Sequence, residues 1–267
     1  LMKPAREWRR SVRLIVLIFI CLSVGSASSV RADAGEDLYF SANALYNRKL
    51  YEIAIKDYET FLKDFPEHAK VANGRMGLAL SYYAVGNYKA ALPLLEQSVS
   101  ENVIPDTSQL RLLLGQCELQ VGESEKAVAI FQVLTADDKL ASTARADAYA
   151  GQVEALFMKK DWGAVIASSD ALWALDPTGD RALRARFQGA AARHHLGQFK
   201  EAQGVLAAIL DSIKDPALSH QTVFLLAECE RENGDLDGAI AHYQVATQTK
   251  GGAFADQALF RLGFVQF

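Results

Sequence analysis

The residues with the chemistry to act as nucleophiles, metal ligands or acid–base groups are few and poorly clustered. Three cysteines occur, Cys21, Cys117 and Cys229, and no two form a Cys-x-x-Cys pair. His194 and His195 are adjacent, and adjacent helical residues point about 100° apart, poorly placed to chelate one ion together. No Cys or His lies three or four residues from either one. The acidic run Glu228-Cys229-Glu230-Arg231-Glu232 is interleaved with a basic group and reads as a solvated helix face with local ion pairs. The chain has no phosphate-cradling glycine loop of common spacing, no histidine pair flanking a glutamate and no nucleophile elbow. The expectation is therefore a non-enzymatic protein with no catalytic residue, no metal site and no cofactor.

The elements that would have to position such groups show much more order. The 267 residues are 50% hydrophobic and 22% charged, with 18 Gly and only 6 Pro. A wholly disordered chain is excluded, and an all-β chain full of turns is disfavoured. Residues 1–32 carry six basic groups and one acid, which leaves 22 basic and 31 acidic groups in residues 33–267. A body that acidic is not expected to bind nucleic acid.

The N-terminus has three zones. Residues 2–13 are basic, Leu14 to Val24 form an apolar core, and Gly25-Ser26-Ala27-Ser28-Ser29 are small. This is the pattern of a secretory signal peptide over 1–32, with Val30 and Ala32 placing the cut before Asp33. The alternative is a short uncleaved membrane anchor. Either reading puts residues 33–267 outside the cytoplasm, in the periplasm or otherwise exported, with membrane contact only through this segment. Ile20 before Cys21 argues against lipidation.

From Asp33 onward one pattern recurs: a helical stretch, a turn residue, then a second helical stretch with a small residue near its start. The small positions are Ala54, Ala91, Ala127, Val165, Ala202 and Ala239, at intervals of 37, 36, 38, 37 and 37 residues. A fixed period in this range is the mark of a stacked repeat architecture. Gly86, Gly122, Gly197 and Gly234 end first helices in a conformation that costs other residues energy. Asn87 and Asp235 follow as caps. Tyr58, Leu95, Phe131, Leu206 and Tyr243 come four after the small residue and fill the space between repeats. Ala42, Ala79, Gly115, Gly151, Ala190, Ala227 and Gly263 are matching small positions in first helices.

Together these positions resemble the tetratricopeptide repeat family over nearly all of residues 35–267. The resemblance implies an all-α, right-handed superhelical solenoid of antiparallel helix pairs. Six repeats are expected, at about 35–68, 70–105, 107–140, 143–178, 180–216 and 219–252, with a partial seventh at 254–267. The poorest copy is the fourth, where Lys159-Lys160 replace the glycine and Ser169 takes a core position. Pro93 falls inside a second helix and should bend it. Tyr51 to Tyr88 is similar to periplasmic repeat proteins of the Tol–Pal and outer-membrane assembly systems. Cys117 and Cys229 lie three repeats apart, too far to pair, and are expected as buried thiols.

The resemblance also implies that first helices line a concave groove for a protein or peptide partner. The matching candidates are Tyr39, Asn43, Tyr46 and Asn47, then Met76, Leu80 and Tyr83, then Leu112, Gln116 and Leu119. Gln152 follows, then Phe187, Ala191 and His194, and finally Phe224, Glu228 and Arg231. Aromatics supply contact area and amides bond an extended backbone. Of the charged set with which relatives grip a C-terminal carboxylate, only Asn43 is present, so carboxylate capture is not expected. The final stretch carries Leu259, Phe260, Leu262, Phe264, Val265 and Phe267 with nothing in the chain to cover them. Either the chain is a fragment or another subunit covers this end, and self-association through 254–267 is an open reading. The function expected is a cell-envelope interaction scaffold. The alternative is the targeting arm of a larger enzyme or sensor whose active domain lies beyond the C-terminus.

Overall fold

The computed structural model describes residues 34–103, 107–248 and 254–266. The basic and apolar segment 1–32 lies outside the described residues. Among those described there are only helices, turns and irregular segments. No helix there is long and apolar enough to cross a membrane.

The chain divides into two compact units, residues 1–105 and 106–267. The first holds α1 (34–47), α2 (Tyr51–Asp64), α3 (Val71–Ala84) and α4 (Tyr88–Ser100). The second holds α5 (Ser108–Gln120), α6 (Ser124–Thr135), α7 (Ser142–Met158), α8 (Trp162–Leu175), α9 (Asp180–His195), α10 (Phe199–Leu210), α11 (Pro216–Glu232), α12 (Leu236–Thr247) and α13 (Ala255–Gln266). Odd-numbered helices are first helices and even-numbered ones second helices. Within each unit consecutive helices pack together, α1 on α2 through Tyr39 and Ala42 against Ala54, Tyr58 and Phe61. The repeat period of 36 to 38 residues is long partly because α7, α9 and α11 run 17, 16 and 17 residues, against 12 to 14 for α6, α8, α10 and α12.

Six turns between first and second helices share one geometry. Lys49, Gly86, Gly122, Lys160, Gly197 and Gly234 all have positive φ. The following N–H closes back on a carbonyl five residues earlier, as in Asn87 N to Tyr82 O (2.9 Å) and Asp161 N to Leu156 O (3.1 Å). This is the Schellman closure, which satisfies carbonyls the helix leaves open. Lys160 thus keeps the turn without a glycine, at φ 60°. Asn87, Asp161 and Asp235 then accept the backbone N–H three residues on, at 3.3, 3.3 and 3.1 Å.

The small positions are all buried, Val165 as fully as the alanines. Phe131 shows why. A Cβ built on Gly115 would sit 2.8 Å from its ring and one on Gly151 2.4 Å, so the ring is wedged between two first helices. Ser169 earns its core position by donating to the Ala185 carbonyl at 2.8 Å, which ties α8 to α9. The α4 helix continues through Pro93 to Ser100.

Candidate peptide-binding face

In the second unit, α5 packs on α7, α7 on α9 and α9 on α11. Among the described residues the second helices make no comparably extensive contacts with one another. Packing the first helices closer than the second curves the stack toward the first-helix face. The candidates lie on these first helices and, in the first unit, on α1 and α3.

In the first unit Tyr39, Asn43, Tyr46, Met76, Leu80 and Tyr83 are half-buried and Asn47 is exposed. The Tyr58 hydroxyl donates to Asn43 Oδ1 at 2.7 Å. Tyr58 itself is 1% exposed, and burial raises its pKa further, so it stays a donor. Tyr39 packs on Phe61, with the Lys70 ammonium 5.6 Å from its ring centre.

The second unit departs from expectation at several positions. Leu112 and Leu119 belong to the core that includes Phe131 and Val153. Gln152 and Ala191 are buried as well. Flanked by a first helix on one or both sides, these helices bury residues that a single isolated helix pair would leave open. Gln116, Phe187, His194, Phe224 and Arg231 stay half-buried.

Glu228 is 7% exposed and serves as a hub. It accepts from the Tyr243 hydroxyl, from Arg231 Nη2 at 3.3 Å and from Arg261 Nε at 3.1 Å. Arg231 also pairs with Glu232. Two guanidinium partners compensate the desolvated carboxylate. Phe224 lies against Tyr243 at 6.0 Å and stacks on Phe254 at 5.1 Å. Burial lowers the His194 pKa, partly opposed by the Glu228 charge.

Asn43 and Glu228 are equivalent positions, as are Tyr58 and Tyr243, the partners in each pair being 15 positions apart. Where the second helix carries tyrosine, the first carries an oxygen acceptor for it. That pairing is visible in the sequence once a buried hydroxyl is required to have a partner.

A second recurring feature escaped the sequence reading. Ring pairs five residues apart clasp the intra-repeat turn: Tyr46–Tyr51 at 5.4 Å, Tyr83–Tyr88 at 5.6 Å, Phe157–Trp162 at 5.3 Å and His194–Phe199 at 5.1 Å. All four meet edge to face, the arrangement the ring quadrupole favours. Counting back three from each turn residue finds Phe157, which counting forward from the small positions missed. His195 stacks flat on Trp162 at 4.3 Å, joining two repeats.

Cys117 and Cys229 are free and buried. Burial pushes each thiol to about 12. Among the described residues no group of three or more His, Cys, Asp or Glu is placed to hold a metal.

A family model described as tetratricopeptide repeat matches residues 76–150 and 190–258, more than half of the chain. No curated protein matches the sequence. Among solved structures, the C-terminal part of a repeat-containing protein from Cytophaga hutchinsonii is similar at 17% identity, TM-score 0.65, covering 84% of either chain. PilW, described as a widely conserved type IV pilus biogenesis factor, is similar at 15% identity, TM-score 0.62, covering 85% of this chain and 98% of its own. PilF of Pseudomonas aeruginosa is similar at 12% identity, TM-score 0.61, covering 86% of this chain and 99% of its own. At these identities the likeness concerns the fold.

Proposed function

Because the chain belongs to the tetratricopeptide repeat family, we propose that it is a non-enzymatic scaffold whose units bind partner polypeptide on their first-helix faces, in the cell envelope. The observation that carries this reading is the set of half-buried and exposed aromatic and amide side chains on the first helices. In the first unit Tyr39, Tyr46 and Tyr83 supply rigid contact area and Asn43 and Asn47 supply amides for backbone-directed hydrogen bonds; in the second unit Phe187 and Phe224 supply the rings.

The envelope location rests on the basic, apolar and small zones of residues 1–32. The sequence likeness of Tyr51 to Tyr88 to periplasmic Tol–Pal-type repeats points the same way. The fold also serves PilW, a pilus biogenesis factor by description.

The test is affinity capture from a membrane-and-periplasm fraction with the wild-type chain and a Tyr46→Ala/Tyr83→Ala variant. A partner lost with the variant, at unchanged helical content, is the expected result. Equal recovery of every partner would refute the face. Fusing residues 1–32 to alkaline phosphatase, which is active only after export, tests location. An inactive fusion overturns the envelope assignment.

A further inference from the structure

The two turns inside the repeats of the first unit share one end of it. In α1, Gly35 lies against Phe65, Tyr39 packs on Phe61 and Asn43 takes the Tyr58 hydroxyl. In α3, Gly74 lies against Phe61 and Gly77 against Tyr58. Both first helices therefore run antiparallel to α2, and the turns that end them, at Lys49 and Gly86, sit at the same end. Phe65, His68 and the start of α1 mark the opposite end.

The turn end combines exposed apolar side chains with unpaired positive charge. Leu50 and Val85 are 37% and 41% exposed, each beside its turn residue. Arg48, Lys49 and Lys89 are exposed, and none of the three joins an ion pair among the described residues. The ring pairs Tyr46–Tyr51 and Tyr83–Tyr88 brace the two tips from below. Counted from two residues before each turn residue to three after, these tips hold three bases and one acid, Glu52. The four equivalent tips of the second unit hold three bases and six acids. Of those bases, Lys159 is already paired with Glu125 at 3.5 Å. A basic, apolar tip is thus confined to the first unit, in a chain whose residues 33–267 are otherwise acidic.

An anionic lipid surface complements that combination. It attracts clustered Lys and Arg, about fivefold in partitioning for each one near the surface. Small apolar side chains beside them enter the boundary between headgroups and acyl chains, where tyrosine is also favoured. We infer that the turn end of the first unit docks on an anionic phospholipid bilayer, with Arg48, Lys49 and Lys89 against the phosphates and Leu50 and Val85 dipping below them. This contact is separate from the first-helix face and leaves α1 and α3 standing away from the bilayer.

The test places an environment-sensitive nitrobenzoxadiazole dye on Val85→Cys in the full chain. Cys21→Ser removes a competing thiol, and Cys117 and Cys229 are buried. A second sample carries the dye on Glu67→Cys, at the opposite end. Residues 1–32 are themselves basic and apolar and lead into α1 at that opposite end, so membrane contact through them alone would brighten the Glu67 position instead. Vesicles of mixed phosphatidylglycerol and phosphatidylcholine should brighten the Val85 dye at least twofold. Pure phosphatidylcholine, or about 1 M salt, where screening sets in beyond about 3 Å, should not. The Glu67 dye should stay dim throughout. Lys49→Gly/Lys89→Gln keeps the turn conformation, as Gly86 does, and should raise the anionic lipid needed for half the Val85 response at least tenfold at unchanged helical content. Arg48→Gln/Lys89→Gln carries the same expectation should the first pair disturb the turn. Leu50→Ser should at least halve the response. No brightening at Val85, equal brightening at Glu67 or on phosphatidylcholine, or an unchanged lipid requirement in the folded variants overturns the inference.

Discussion

Replacing Lys160 by glycine should stabilise the protein. Lys160 holds φ 60° at the turn between α7 and α8, where four of the other five equivalent turns use glycine. A left-handed residue with a side chain costs about 1–2 kcal/mol. Glycine gives back about 0.4–1 kcal/mol through its freer unfolded chain. The net gain is about 0.5–1 kcal/mol, a rise of roughly 2–4 °C in Tm for each kcal/mol in a chain of this size. Gly197 provides the converse. It has φ 73°, and a Cβ built there meets nothing within 4 Å. Gly197→Ala therefore tests the backbone alone and should cost about 1 kcal/mol. Both are read by far-UV circular dichroism during urea denaturation. Lys160→Gly destabilising the chain, or Gly197→Ala leaving the midpoint unmoved, would refute the argument that the turn conformation sets these energies.

Gly151→Ala should destabilise by about 1–3 kcal/mol, since the added methyl meets the Phe131 ring and two helices must part; urea midpoints measure it. Burial lowers the His194 pKa below 6.5, so the folded chain binds its proton less readily than the unfolded one. The associated stability is complete above that ordinary value and is lost as pH falls through the lowered folded value. His194→Asn should flatten this acid-side decline in denaturation midpoints. Cys117 and Cys229, with thiols near 12, should resist alkylation at mildly alkaline pH until denaturant is added. Peptide mapping of rapid native labelling at either position would contradict their burial.

The helix pairs were legible because their signals repeat: a turn residue, a small residue and a large residue four later recur with nearly constant spacing. One copy is ambiguous, but six in phase are not. The face was less legible because register there rests on which neighbours flank each helix. Tyr39 and Leu112 occupy equivalent positions, yet Tyr39 stays half-buried and Leu112 joins the core with Phe131. Glu228 looked like part of a solvated run and lies buried because Tyr243, Arg231 and Arg261 converge on it from three helices. Arg261 lies 33 residues beyond Glu228 in the sequence, so no local pattern announces it.

The ring clasps restrict how such a protein can change its preferences. Tyr46, Tyr83, Phe157 and His194 each fasten their own hairpin, so altering one to suit a new ligand also loosens the turn beside it. Leu80, a helical turn before Tyr83, and positions like it carry no such duty to a turn. Divergence in what these repeats recognise should accumulate there, while the fastening rings vary mainly among aromatic types.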